Sequence, residues 1–202
     1  MRRAHLGFVT VLALALCSAS PAWATIYAID KDHSTVSFKI RHLFSKVEGT
    51  FNELEGSFDY VPGSPEQWKA QATIQAASID TRVAQRDEHL RTADFFDVAR
   101  HPTVTFTSTK VTDATPASAK LEGLLTIRGV EKPVVLDLTI HGEGKDPWGN
   151  TRSGFTATTI INRKDFGLTW NKAVETGQLL VGDDVEITLE VEGLVKPQAP
   201  QP

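Results

Sequence analysis

The chain has one cysteine, Cys17, and one methionine, Met1, and both lie within its first 24 residues. Residues 25–202 therefore hold no thiol and no thioether, which excludes disulfides, thiolate nucleophiles and soft-metal sites from that part. Histidine is scattered as well as scarce. His33, His42, His89, His101 and His141 show no H-x-x-x-H or H-x-x-E-H spacing that would set two metal ligands on one face. There is no G-x-S-x-G elbow for a serine hydrolase. Gly142-Glu143-Gly144 and Gly177 lack a following helix that could cradle phosphate, and Glu143 would repel it. Cations are not in excess either. From residue 25 onward 19 Lys and Arg face 25 Asp and Glu, a net charge of −6, which argues against nucleic acid or an anionic membrane as an electrostatically driven partner.

Long apolar runs are also missing. The stretch Phe8 to Leu16 falls short of the roughly 20 residues a spanning helix needs, so no integral membrane span is expected. Arg2-Arg3 precede it and Ala22-Trp23-Ala24 supply a small-x-small site after it. Residues 1–24 therefore read as an export signal cleaved after Ala24. A lipoprotein signal at Cys17 is disfavoured because Leu16 stands where a small residue is required. Residues 25–195 suffice for a single domain, and the Pro/Gln-rich 196–202 read as a disordered tail.

What the chain does have is alternation. Val36, Phe38, Ile40 and His42 alternate with Thr35, Ser37, Lys39 and Arg41. The two-residue period recurs at Ala70 to Ala76, Leu121 to Ile127, Val134 to Ile140, Phe155 to Ile161 and Val185 to Val191. Turns such as Arg128 to Pro133 and Asp146 to Asn150 join the strands into antiparallel meanders. Between Phe51 and Leu54 the phase slips, which reads as a bulge or bend. Sheets with one wet face must close or stack, so the pattern alone leaves a barrel and a sandwich open.

One segment departs from the strand pattern. Ser78 to Phe106 joins a densely charged helical stretch, about residues 82–98, to a strand containing Val104 and Phe106. Asp80 or Thr81 is placed to cap the helix, and Asp87 and Glu88 suit its positive end. Arg86, Asp87, Glu88, His89 and Arg91 would attract a search for catalysis. Asp87 and His89 are two apart, however, and do not face each other on a helix, whereas Arg86 with Asp87, or Arg91 with Asp87 at a spacing of four, suits a pair that docks the helix over the barrel end.

The run Thr81, Arg86-Asp87, His89-Leu90, Phe95-Phe96-Asp97, then Pro102, Val104 and Phe106, resembles the YceI-like family of secreted polyisoprenoid-binding proteins. So do Asp32-His33-Ser34, Gly49-Thr50-Phe51, Gly123-x-Leu125-x-Ile127-x-Gly129 and Ile161-Asn162-Arg163-x-Asp165-Phe166-Gly167. The resemblance implies an all-β fold, an elongated antiparallel eight-stranded lipocalin-like barrel, with a periplasmic location. It further implies a binding protein without catalytic residues, cofactor or metal, whose partner is a long isoprenoid or quinone-type chain. A homodimer stays open as an assembly.

Composition alone favours a filled interior, with Gly49, Ala70, Ala72, Ala76, Gly123 and Ala157 facing large side chains. The resemblance favours a cavity instead. Its expected lining is Phe38, Ile40, Phe58, Ile74, Phe106, Leu125, Ile127, Leu136, Phe155, Ile161 and Leu168, with Phe95, Phe96 and Trp170 near a mouth or under the helix. Arg86, His89 and Arg163 are the candidate head-group contacts, and Arg163 could instead pair with Asp165. At about 0.8 kcal/mol per buried CH₂, each five-carbon unit would contribute up to roughly 3 to 4 kcal/mol, so the tail rather than the head drives recognition. The alternatives are an envelope enzyme using Arg86 to Arg91, or a ligand-free stress or interaction protein.

Overall fold

The computed structural model describes residues 25–175, 177 and 179–196. Residues 1–24, expected as an export signal, and the expected tail beyond Lys196 lie outside the described residues. Eleven strands, β1 Thr25–Ile29, β2 Thr35–His42, β3 Ser45–Phe51, β4 Leu54–Tyr60, β5 Lys69–Gln75, β6 Ile79–Asp80, β7 Thr103–Thr112, β8 Ser118–Ile127, β9 Val130–Lys145, β10 Thr151–Asn162 and β11 Val181–Val195, make one antiparallel sheet. Each pairs with its neighbour, and β11 closes the ring by pairing with both β1 and β2.

The ring has eight staves. β1 with β2, β3 with β4, and β5 with β6 are each one stave broken in the middle, because β1 pairs β4 below the breaks while β2 pairs β3 above them. Residues 30–34, 52–53 and 76–78 form the breaks, side by side. The phase slip between Phe51 and Leu54 is therefore the end of one segment and the start of another, not a bulge within a ladder.

A bulge does occur elsewhere. Phe155 pairs Ile140 while Gly154 pairs Gly142, leaving His141 as the extra residue of β9. The slip turns Glu143 toward the barrel end, where it accepts from the Tyr27 hydroxyl. The turn between β8 and β9 is only Arg128-Gly129. Pro133, expected in that turn, lies within β9, opposite Leu124 and beyond the last pairing of β9 with β10 at Asp137, so its missing N–H interrupts no ladder there.

The helix is shorter than expected. α1 covers Ala84–Arg91, and residues to Arg100 follow as turns in place of a helix to 98. Phe96 N–H donates to Leu90 O and Val98 N–H to Arg91 O, so the last helical carbonyls are satisfied by a chain folding back. That reversal carries Phe95 and Phe96 inward. Neither Asp80 nor Thr81 caps the helix. Val83 is the cap residue without a side-chain bond; Asp80 accepts from Arg82 N–H, and Thr81 donates both its N–H and its hydroxyl to Asp87.

Candidate functional site

The barrel has two unlike ends. One is closed by aromatics. Tyr27 is fully buried and stacks on Phe58 with centroids 5.0 Å apart. Phe58 and Tyr60 both meet Phe155 edge-on at 5.1 Å, and Trp68 lies over Tyr60 with its indole N–H bonded to Val61 O. Burial and the Glu143 carboxylate hold the Tyr27 hydroxyl well above the ordinary phenol range. Phe58 and Phe155, expected in the main lining, belong to this plug and to a small cavity of about 90 Å³ beside it. Alternation tells inward from outward, but not the level along the axis.

Above the plug lies a cavity of about 330 Å³. Such a volume is within the range of about 300–1,000 Å³ usual for small-molecule sites. It is lined by Phe38, Ile40, Ile74, Phe106, Leu125, Ile127, Leu136, Ile161 and Leu168, with Phe95, Phe96 and Trp170 at its upper end. Phe38, Ile40, Ile74, Phe106 and Leu125 point inward yet are only half-buried, because they face the cavity. Val36, Val47, Phe51, Ile79, Val185 and Ile187 line it too. Val36, Val185 and Ile187 sit in phase with neighbours already read as inward, so the signal for them was present; Phe51 and Ile79 stand at the strand breaks, where the period gives no guidance.

The small inner residues answer both expectations at once. A Cβ placed on Gly49 would come 2.5 Å from the Phe38 ring, one on Gly123 2.4 Å from Phe106, and one on Gly193 2.5 Å from Phe58. Each glycine is thus filled by a phenylalanine, and the void lies beyond the rings. Phe106, Ala72, Leu136 and Leu189 border both cavities and form the constriction between them.

The polar residues of the motif gather at the open end, where most of the arginine hydrogen bonds go to backbone carbonyls. Arg86 donates to Thr81 Oγ1 and Thr81 O at 2.7 and 2.8 Å, and Arg91 to Ala77 O and Ile79 O at 2.8 and 2.9 Å. Arg128 reaches Gly167 O and Ala93 O, tying two crossing segments together. The expected Arg91–Asp87 pair is not formed, because Asp87 is turned into the Thr81 bonds. Irregular chain over a barrel end leaves carbonyls without ladder partners, and these guanidinium groups satisfy them.

Arg163 follows the same rule. Only 4% exposed, it donates to Gly182 O at 2.8 Å, Trp170 O at 2.9 Å and Leu168 O, and reaches Asp183 Oδ1 at 3.5 Å. Its acidic neighbour is thus Asp183 and not Asp165. Burial lowers its pKa while Asp183 raises it. His89 lines the cavity at the mouth, edge-on to Phe95 and Trp170 at 5.1 and 5.0 Å, and its Nε2 lies 2.8 Å from Asp94 Oδ2. Asp87, on the other hand, takes no part in that pair.

Among the described residues one group of potential metal ligands converges, Asp30, His33 and Glu192. Arg152 already occupies it, donating to Asp30 at 2.8 Å and to Glu192, and to Asp146 at 3.0 Å. A metal ion would have to displace a guanidinium that three carboxylates hold.

Comparison with known proteins agrees with this architecture. A protein of Ectopseudomonas mendocina designated UPF0312 is 43% identical over 176 residues, 86% of this chain and 89% of its own. The solved YCEI protein of Campylobacter jejuni is 31% identical with a TM-score of 0.68, covering 94% of this chain and all of its own. A domain from Saccharophagus degradans described as polyisoprenoid binding shares the fold at 16% identity and a TM-score of 0.63, over 84% of this chain and 98% of its own. The YceI-like domain model matches residues 27–193, from within β1 to within β11, and the chain belongs to the YceI-like family.

Proposed function

We propose that this protein binds a long apolar chain of the polyisoprenoid or quinone-tail type in its larger cavity and serves as a carrier, store or scavenger in the cell envelope. The observation that carries the reading is a cavity of about 330 Å³ whose walls are apolar side chains left half-buried although they face inward. Such apolar surface, without a protein partner, gains about 25 cal/mol per Å² when an apolar chain removes it from water. The Saccharophagus degradans domain, of the same fold, is described as polyisoprenoid binding and supports the ligand class. The arginines of the charged helix bond to threonine and backbone oxygens, so a binding role accounts for them better than an enzymatic one. The envelope part of the reading rests on residues 1–24 as an export signal.

Native mass spectrometry of the protein purified from its own cell envelope tests the reading. A discrete added mass that releases a long isoprenoid on denaturation is expected, on a chain that begins at Thr25. An apo mass that persists after incubation with such lipids would remove the ligand. Recovery of the protein only from the cytoplasm with residues 1–24 intact would remove the location.

A further inference from the structure

The open end carries a feature that ligand binding alone does not require. β2 and β3 are joined by the two-residue turn Leu43-Phe44, between the paired His42 and Ser45. Turns of this length favour glycine or asparagine, yet Leu43 holds φ at +46°, in the left-handed region that branched side chains avoid. The effect is to thrust Phe44 outward with 93% of its surface in water, the highest among the large apolar side chains of the described residues. A strained turn that exposes an aromatic ring points to a use for the ring.

Its position suggests which use. His42, immediately before the turn, lines the large cavity, as do Leu180 and Val181, and Leu43 N–H donates to Leu180 O at 3.0 Å. Leu179 and Val83, 42% and 47% exposed, belong to connections at the same end. The charge is divided between the ends. The connections at the mouth, residues 43–44, 81–102, 128–129 and 163–180, hold eight Lys and Arg against six Asp and Glu. Those at the plugged end, 61–68, 113–117 and 146–150, hold Glu66, Asp113 and Asp146 and no cation. The net charge of −6 therefore does not describe the mouth.

We propose that the mouth end docks on a lipid bilayer, with Phe44 seated among the head groups, so that a chain passes between bilayer and cavity without crossing bulk water. The exchange step rests on the proposed function, whereas the docking step stands on the tip and its surroundings. Apolar insertion drives the contact, and a mouth whose connections carry no acidic excess does not add the chain's net negative charge against an anionic surface. Trp148, 81% exposed, is the natural control, since it sits in the acidic 146–150 turn at the plugged end.

The test is flotation of the protein, residues 25–202, with phosphatidylcholine vesicles with and without phosphatidylglycerol. It is run beside transfer of a fluorescent polyprenyl probe from donor vesicles and binding of the same probe dispersed in buffer. Phe44→Ser is expected to lower vesicle partition about ten-fold and to slow transfer, while probe binding in buffer stays unchanged; Trp148→Ser is expected to change none of the three. A wild-type protein that fails to float, a Phe44→Ser protein that floats equally well, or loss of flotation in Trp148→Ser would overturn the docking and leave the binding function standing. A lipid-free dimer that Phe44→Ser dissociates would assign the tip to a second copy of the chain and overturn it too. Flotation that depends on Phe44 in a protein that binds no probe in buffer would uphold the docking and remove the function instead.

Discussion

Arg163 shows how much one buried side chain can organise. Its donors hold the carbonyls of Leu168, Trp170 and Gly182, which neither a ladder nor a helix would otherwise satisfy. Replacing it with methionine keeps much of the volume and strands those acceptors, each at about 1–3 kcal/mol when buried. Arg163→Met should lower stability by at least about 2 kcal/mol in urea denaturation. Arg163→Lys should recover little of it, because one ammonium cannot reproduce the planar fork. A head-group role would instead show as altered lipid preference at unchanged stability. Gly123 is the apolar counterpart. A methyl there meets Phe106 at 2.4 Å and the Thr107 carbonyl at 2.7 Å, so Gly123→Ala should cost about 1–3 kcal/mol. Combined with Phe106→Leu it should cost less than the sum of the two single changes, as a double-mutant cycle would measure. Additivity would mean that the ring does not occupy the glycine's space.

Among the elements, the strands were legible and so was the single helix, but not where the helix ends. Val36 to His42 and Val185 to Val191 alternate without interruption, and a two-residue period has no other regular interpretation; these became β2 and part of β11. The charged stretch from 82 to 98 contains few residues that disfavour helix, so local pattern could not reveal that Phe95 and Phe96 must turn inward. Only the tertiary demand for apolar cover over the barrel ends the helix at Arg91. The site divides in the same way. Inward positions could be read, but Phe58 and Phe155 fell at the wrong level, because of the three breaks only the one at 52–53 reads in the sequence as a slip of the period, and a slipped phase does not say how far along the axis a residue lies.

The seam of β1, β10 and β11 gives a prediction of its own. Asp30 is held down to about 2 by its bond to Arg152 and by His33. Asp146 is held down to about 2 by Asn150, with Arg152 and the amides of Asn150 and Trp148 assisting. Each carboxyl is a weaker base folded than unfolded, so the unfolded chain takes up protons first. The stabilisation is complete above about pH 4, the ordinary aspartate range, and is lost as pH falls from there to about 2. Thermal midpoints measured across that interval should fall. Arg152→Gln should lower the midpoint at neutral pH and flatten the fall, although Glu48 and Asp183, also held low by cations, leave part of the slope. An unchanged slope would show that Arg152 does not anchor the seam.

For the whole molecule, the two cavities and the constriction between them determine what can be held. Phe106 stands between about 330 Å³ and about 90 Å³. Phe106→Ala should cost less than the roughly 3–5 kcal/mol of a fully buried phenylalanine, because one side of the ring already faces the cavity, while joining the two spaces. The variant, if loaded from a mixture of isoprenoids, should carry longer chains than the parent, as mass spectrometry of extracted lipid would reveal. A fall in stability with no change in chain length would place the ring outside the path of the ligand.

The aromatic plug has a further consequence. A tube stopped at one end is a gauge: on the proposed function, whatever is drawn in goes tip first, halts at the Phe106 constriction short of the stacked Tyr27, Phe58 and Phe155, and leaves its excess outside. On the proposed function the protein would sort molecules by depth rather than by name, accepting any head group whose tail fits and keeping every head within reach of the next protein or membrane.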